Sequence, residues 1–213
     1  MAKRRVGFMD LKTDFHFNGF AIWEVQVSDE LIDFVTDCVK GSPPKGFSLE
    51  EKYALSADLR PNALDAKPIK DFLESNQVER VLSEASGREL KLKTVQFRVA
   101  YPDPKPYMSW HRDVHFYSNA TEPTGDVPPP VKMILYPVQR DAEPQATLRV
   151  VPRSHHRLFR NRFIDRLQTL PGITRKSEIV SSNKTALVFN TQLFHTVLAA
   201  RGTPSVRIII SFV

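Results

Sequence analysis

Apolar residues at helical spacing predict two helices in the first part of the chain. The first begins after Ser28, a residue type that commonly caps a helix N-terminus, and it ends before Gly41. The second runs from Pro68 to about Ala85 and ends at Gly87. The predicted buried positions are Leu31, Phe34, Val35 and Cys38 in the first helix, and Ile69, Phe72, Leu73, Val78, Val81 and Leu82 in the second.

Two stretches beside these helices lack helical spacing. Residues 19–25 are rich in aromatic and β-branched side chains, which predicts a short strand. Residues 45–65 are polar and show no clear period. We therefore expect irregular structure between the two helices.

From residue 88 onward the apolar period changes to two. Residues 90–101 alternate between apolar and polar side chains, as a strand with one buried face does. A basic segment at residues 158–170 predicts one more helix. The other strand candidates are residues 131–138, 146–151, 185–189, 193–198 and 205–213.

Helices followed by a run of strands favour a mainly β fold with flanking helices. Its natural closed form is a double-stranded β-helix, the jelly-roll core of cupin-like proteins. A length of 213 residues suits a single domain over residues 1–213. We expect a helical N-terminal part at about residues 15–86 and a jelly-roll core at about residues 88–213.

Composition indicates the cellular compartment of the protein but not its activity. The formal net charge of +6 permits an anionic substrate or weak attraction to nucleic acid, and it decides neither. No apolar run reaches the length of a membrane span, and no apolar stretch follows the basic N-terminal residues as in a signal peptide. The single cysteine, Cys38, allows no internal disulfide and fits a reducing compartment. A cytoplasmic protein is expected.

Two histidines and one aspartate carry the candidate chemistry. His111 and Asp113 are two positions apart, so in an extended segment their side chains point to the same side. His195, far along the chain, can reach them from another strand. Two imidazoles and a carboxylate suit a divalent first-row metal such as Fe(II) or Mn(II), whereas structural zinc usually takes thiolates. Without a metal, His111 could be satisfied by Asp113, and His195 could be an ordinary core histidine.

Arg207 interrupts an apolar terminal run. In a strand, Arg207, Ile209 and Ser211 share one face, and the alternate residues from Val206 to Phe212 share the other. A buried guanidinium is costly unless it meets an anion. That anion is either the carboxylate of a bound molecule or a carboxylate of the protein itself.

The order His111-x-Asp113…His195…Arg207 resembles that of the Fe(II)/2-oxoglutarate-dependent oxygenases, and the nearest branch is the phytanoyl-CoA dioxygenase-like group. Residues 18–32 are similar to that group's opening strand and helix. Residues 148–155 are similar to its segment ending Val-Pro-Gly-Ser-His, except that Arg153 stands in place of the glycine. The resemblance covers most of the chain from about residue 15.

The resemblance implies a set of roles. His111, Asp113 and His195 would bind Fe(II) and serve as the catalytic centre, and Arg207 would bind the distal carboxylate of 2-oxoglutarate. Gln96 and Thr196 are close enough in chain order to join the co-substrate pocket. With O2, such an enzyme hydroxylates an unactivated C–H bond of a small molecule and releases succinate and CO2.

Two other readings stay open. The basic helix and the terminal strand also resemble oxygenases that demethylate nucleic-acid bases, for which DNA or RNA affinity should fall steeply with salt. A non-catalytic cupin-like binding module would keep the histidines but form no succinate. No membrane partner is expected, and the sequence does not specify the oligomeric state.

Overall fold

Two antiparallel sheets face each other and enclose the centre of a jelly roll. This computed structural model describes residues 10–53, 56–101, 108–113, 130–137, 148–159, 161–179, 182, 184–197 and 204–213. The helices in these ranges are α1 (Leu11–Asn18), α2 (Asp29–Val39), α3 (Lys67–Ser75), α4 (Val78–Ser86) and α5 (Arg162–Leu167). The strands are β1 (Phe20–Glu24), β2 (Ser48–Tyr53), β3 (Ser56–Arg60), β4 (Leu92–Ala100), β5 (Met108–His111), β6 (Val131–Leu135), β7 (Leu148–Val150), β8 (Ser177–Ile179), β9 (Thr185–Asn190), β10 (His195–Val197) and β11 (Ser205–Phe212).

The arrangement of the strands in two antiparallel sheets gives a mainly β fold, as predicted. The larger sheet has the order β1-β9-β6-β11-β4-β3-β2, and the smaller has the order β5-β10-β7-β8. Helices α1 to α4 lie against the outer face of the larger sheet, where their apolar residues join its outward side chains in one core cluster. None of the helices in the described ranges has both the length and the apolarity to cross a bilayer.

Strand β11 shows how alternation separates the two sides of the larger sheet. Val206, Ile208 and Ile210 belong to the core under the helices. Ile209 belongs to the second core, which fills the space between the two sheets. Arg207 is buried and alternates with these residues, so it also faces the space between the sheets. The predicted division of this strand is confirmed.

The first predicted helix is confirmed, and the second is divided in two. The Ser28 hydroxyl accepts a hydrogen bond from the Leu31 amide at 3.3 Å and caps α2. Between α3 and α4, Gln77 has a φ of 49°, in the left-handed region. The Asn76 side chain there accepts from the Gln26 amide at 2.8 Å and donates to the Gln26 carbonyl at 2.9 Å. This contact with a distant residue fixes a turn where apolar spacing alone predicts one continuous helix.

The prediction of irregular structure at residues 45–65 is wrong, because β2 and β3 extend the larger sheet beyond β4. In β3, Asp58 is buried and pairs with Arg98 of β4, with Nε–Oδ1 and Nη2–Oδ2 distances of 2.5 and 2.8 Å. A strand whose inward residue is charged does not show apolar alternation. The predicted helix at 158–170 is also shorter than expected, because α5 spans Arg162–Leu167.

Gly19 lies where helix α1 turns into β1, and it provides a test of this packing. Its φ is +82°, and an added Cβ would lie 2.4 Å from Nδ1 of His155. We expect Gly19→Ala to lower the free energy of unfolding by roughly 2 kcal/mol or more, because both the left-handed backbone and the collision are unfavourable. Urea denaturation measures the change.

Gly41→Ala is the matched control for this prediction. Its φ is +76°, and an added Cβ would meet no atom within 4 Å. Its cost should be limited to the backbone conformation, at about 1 kcal/mol. Equal losses in the two variants would show that His155 does not restrict Gly19.

Candidate metal centre

The three predicted ligands come together at one end of the smaller sheet. His111 is the last residue of β5, and His195 begins β10 directly opposite it in the register. Asp113 follows β5, and its backbone amide donates to the Thr191 carbonyl at 3.1 Å. One ligand atom each from His111, Asp113 and His195 lies within 4.8 Å of the other two. This donor set fits one face of an octahedral divalent ion.

Both imidazoles are held in the same way. Nδ1 of His111 lies 2.7 Å from the Ser109 carbonyl, and Nδ1 of His195 lies 2.8 Å from the Leu193 carbonyl. Because a carbonyl can only accept, each Nδ1 carries a proton, which leaves Nε2 as the atom available to a metal. The Nε2 atoms lie 3.5 and 3.8 Å from the Asp113 carboxylate. Such backbone acceptors fix the ring and tautomer that a metal needs.

The Asp113 carboxylate has a cation as a close neighbour. Nζ of Lys132, on β6, is 3.0 Å from Oδ2 of Asp113. Burial alone would raise the pKa of Asp113, but the neighbouring His111 and His195 side chains and the charge of Lys132 outweigh it and lower the pKa. The carboxylate is therefore ionised and available as a ligand at neutral pH.

His195 stays neutral for the opposite reason. Its side chain is buried, and this burial lowers its pKa to about 4, with Asp113 offsetting part of the effect. A neutral imidazole is the form that binds a metal.

This shift predicts a pH dependence of stability in the metal-free protein. The pKa of His195 is about 4 in the folded chain and near its ordinary value of 6.5 when unfolded. The unfolded chain thus binds more protons between these values, and stability is lost as the pH falls from 6.5 to 4. The contribution is about 3 kcal/mol.

Urea denaturation of the chelator-treated protein at pH 7 and pH 4.5 measures this loss, with His195→Asn as the comparison. His155 also has its pKa lowered to about 4, first by burial, so the wild type alone does not isolate His195. The variant should lose less stability on acidification than the wild type. Equal losses would remove His195 as the cause.

Arg112, between the two ligands of the motif, points the other way and anchors the motif. Its guanidinium is fully buried and forms a bidentate pair with Asp165 of α5, at 2.7 and 2.6 Å. It also donates to the carbonyls of Ser154, Arg157 and Gln192. One side chain therefore joins the ligand strand to α5 and to the loop before β10.

Arg207 and Tyr136 form a second polar site on the inner face of the larger sheet. Arg207 is buried beside Arg98, its register partner on β4. Tyr136 follows β6, and its buried hydroxyl interacts with Arg207. Burial raises the pKa of Tyr136, although the Arg207 charge opposes this, so the phenol keeps its proton. A guanidinium and a phenol side by side suit a carboxylate.

The other two predicted co-substrate residues, Gln96 and Thr196, differ in burial. Gln96 lies opposite Ile209 in the register, on the inner face, with an exposed side chain. Thr196 is buried, and its hydroxyl donates to the Met108 carbonyl, which ties β10 to β5. Their contact with a co-substrate stays a prediction.

Sequence reasoning missed Lys132, Tyr136 and Asp165. Lys132 and Tyr136 alternate with Ile134 on the inner face of β6, but the segment as a whole is apolar and shows no period of two. Asp165 lies in a short basic helix whose sequence is typical of a solvent-exposed surface. A weak signal for Tyr136 is its polar hydroxyl at the end of a buried strand.

Neither the family models nor the curated proteins match this sequence. Solved structures do match its fold. The non-heme alpha-ketoglutarate-dependent epimerase SnoN from nogalamycin biosynthesis has a TM-score of 0.65 at 11% identity, covering 95% of this chain and 80% of that one.

Two further structures are similar over most of their length. HygX from Streptomyces hygroscopicus, with nickel, 2-oxoglutarate and hygromycin B bound, has a TM-score of 0.63 at 14% identity, covering 93% of this chain and 84% of that one. A Pseudomonas putida prolyl-4-hydroxylase has a TM-score of 0.58 at 13% identity, covering 95% and 96%. At such low identity these matches establish the fold: the chain has the jelly-roll core found in 2-oxoglutarate-dependent oxygenases.

Proposed function

We propose that the protein is a non-haem Fe(II)- and 2-oxoglutarate-dependent dioxygenase that hydroxylates a small molecule. The observation that carries this proposal is the convergence of His111, Asp113 and His195 within 4.8 Å on a jelly-roll sheet. Two imidazoles and an ionised carboxylate match the facial ligand set of such iron sites. The same arrangement leaves the opposite side of the ion open to other ligands.

Three residues of the centre would bind the metal, and Lys132 would support one of them. His111 and His195 would present Nε2 to the metal, and Asp113 would present an oxygen. Lys132 holds the carboxylate through its contact at 3.0 Å. Fe(II), when bound with 2-oxoglutarate and O2, supplies the oxidising power to attack an unactivated C–H bond, with release of succinate and CO2. The protein's contribution is to hold these groups and to place the C–H bond.

Arg207 and Tyr136 are the proposed binding site for the distal carboxylate of 2-oxoglutarate. Both are buried on the inner face of the larger sheet, and His195 contacts Phe189 on this same face. Gln96 is proposed to line the same space beside Ile209. Thr196 is proposed to act through β10, which it holds against β5.

The neighbours support a small-molecule substrate, since the structures of two of them hold nogalamycin RO and hygromycin B. They also include an epimerase and a carbocyclase, so this fold supports more than one oxidative outcome. Hydroxylation is the outcome that we propose here. Membership of the phytanoyl-CoA dioxygenase-like branch remains a proposal based on the sequence motifs.

The role of Arg207 makes a separable prediction. Arg207→Ala should raise the 2-oxoglutarate concentration needed for half-maximal binding by roughly a hundredfold, because a charge-assisted bidentate contact is lost. Tyr136→Phe removes one hydrogen bond and should raise it about three- to tenfold. Calorimetric titration of 2-oxoglutarate into the Mn(II)-loaded protein measures its affinity in both variants.

The metal provides the control in the same experiment. Neither variant should change Mn(II) affinity by more than a few-fold, because neither residue belongs to the ligand set. A parallel loss of Mn(II) and 2-oxoglutarate binding in Arg207→Ala would assign the arginine to structure rather than to the co-substrate.

The overall proposal is tested by succinate formation. The Fe(II)-loaded protein is incubated with 2-oxoglutarate and O2 against pooled small molecules, with single-stranded DNA and RNA as separate pools and His111→Ala as the blank. Substrate-stimulated succinate formation with a small-molecule pool supports the proposal. Stimulation by nucleic acid alone would support the base-oxygenase alternative, and no succinate above the blank would support a binding module.

A further inference from the structure

A cavity of about 1040 Å³ lies between β1 of the larger sheet and β8 of the smaller one. The turn at residues 151–154 and the segment at residues 173–176 complete its wall. Pockets that bind drug-sized ligands measure about 300–1,000 Å³, so this one accommodates a sizeable molecule. None of the residues proposed to bind metal or 2-oxoglutarate lines it.

The cavity adjoins the same space between the sheets as the metal centre. In the smaller sheet, His111, His195, Val150 and Ser177 are register partners across four adjacent strands, so their side chains share one face. Ser177 lines the cavity and lies two strands from His195, or about 10 Å at the usual strand spacing.

Contacts in the larger sheet also place the cavity close to the metal centre. Phe20 lines the cavity and is the register partner of Phe189. The Phe189 ring centroid lies 5.2 Å from that of His195. The cavity is therefore within reach of the metal centre on both sides of the jelly roll.

The lining combines an apolar floor with an excess of positive charge. The floor includes Ile22 and Ile179, which pack in the core between the sheets. Four cations and two acids line the walls, and one of the acids, Glu178, already pairs with Arg149 at 3.3 Å. The cations are Arg153, Arg157, Arg175 and Lys176, and the other acid is Asp14.

The wall is also held rigidly relative to the metal ligands. The Ser154 and Arg157 carbonyls, on the cavity wall, accept from Arg112 in the ligand motif. Gln168, another wall residue, donates to Asp165, the partner of Arg112. A ligand in the cavity would thus be held in a fixed position relative to His111 and Asp113.

We propose that this cavity holds the substrate and selects an anion with an apolar body, that is, a carboxylate or phosphate carried on a hydrocarbon chain or ring. The placement of a reacting C–H bond rests on the proposed oxygenase function. The binding preference rests only on the cavity's charge and floor.

Calorimetry with defined probes tests the binding preference. Dodecanoate and 2-naphthoate are the anionic probes, and dodecyltrimethylammonium is the cationic counterpart. The anions should bind, and the cation should not bind detectably. The double variant Arg157→Gln/Arg175→Gln should weaken anion binding roughly tenfold or more, because two charged donors are lost. The control Lys70→Gln/Lys93→Gln removes two exposed cations elsewhere and should bind as the wild type does.

Several results would overturn the proposal. These are the absence of binding by both anions, equal binding of the cationic probe, an unchanged affinity in the cavity variant, or displacement of the probes by a tighter-binding oligonucleotide. Each is independent of metal binding, so the cavity assignment is decided even if no metal binds.

Placement beside the metal centre is tested with Mn(II). Paramagnetic broadening of the bound probe's proton signals should appear in the Mn(II)-loaded wild type and be lost in His111→Ala. Bound probe without broadening in the Mn(II)-loaded protein would overturn the placement. Failure of Mn(II) to bind would instead count against the oxygenase proposal, and the charge-selective binding would stand on its own.

Discussion

His111→Ala is expected to weaken the binding of Mn(II) by more than about a hundredfold, since even loss of a residue that supports a ligand costs 10- to 100-fold. His111 contributes one of the three candidate ligand atoms that lie within 4.8 Å of one another, and the two remaining ligands would hold the ion much less firmly. Calorimetric titration of Mn(II) in the absence of O2 gives the affinity directly.

The control for this prediction is His156→Ala. His156 is exposed, its ring lies beside the tilted ring of His155 with centroids 3.8 Å apart, and it lies outside the candidate ligand group. Its removal should leave Mn(II) affinity unchanged. If both variants bound Mn(II) as the wild type does, His111 would not be a ligand and the oxygenase proposal would fail.

Arg112→Met is expected to lower the free energy of unfolding by about 3–5 kcal/mol, the cost of leaving one member of a buried ion pair without its partner. Both side chains of the Arg112–Asp165 pair are fully buried. Several carbonyl acceptors also lose their donor in the variant. Urea denaturation of the metal-free protein measures the loss.

Two comparisons make this result interpretable. The double variant Arg112→Met/Asp165→Leu removes both charges and should recover part of the stability. Arg80→Ala breaks an exposed pair with Glu84 on α4 and should change stability by no more than about 0.5 kcal/mol. A loss in Arg112→Met as small as that in Arg80→Ala would show that the buried pair does not anchor the ligand strand.

Local periodicity predicted the parts of the fold in which neighbouring residues share one environment. The assignment of alternate residues in β4 and β11 to opposite faces follows from strand geometry, and the apolar stripes of α2 and α4 follow from helical spacing. Each is confirmed. The His-x-Asp spacing also placed two candidate ligands on one side of a strand end. These features depend on residues close together in the chain.

The missed features depend on partners far apart in the chain. Asp58 is buried in β3 because Arg98 neutralises it, and the turn after α3 is fixed by Gln26 at a separation of 50 residues. Arg112 meets Asp165 at a separation of 53 residues. No local pattern contains such pairings, so the sequence predicted the candidate ligand residues that converge but not the side chains that hold them in place.

Arg153 has a left-handed backbone at the position where the motif that residues 148–155 resemble has glycine. Its φ is 64°, a conformation in which glycine carries no penalty, and glycine is the residue expected at this place in the motif. The Arg153 guanidinium lies 3.6 Å from the centre of the Phe17 ring, a contact that offsets part of the backbone strain. The substitution thus adds a cation to the cavity wall at a cost in backbone energy.

The position of β11 has a consequence for the order in which the molecule assembles. This strand pairs with β4 on one side and β6 on the other, yet it follows every other described strand in the chain. Until it is synthesised, the nascent polypeptide presents two unsatisfied strand edges, which are templates for intermolecular aggregation. We therefore expect ribosome-bound intermediates ending before residue 205 to depend on chaperones, and the guanidinium of Arg207 to arrive with the segment that closes those edges.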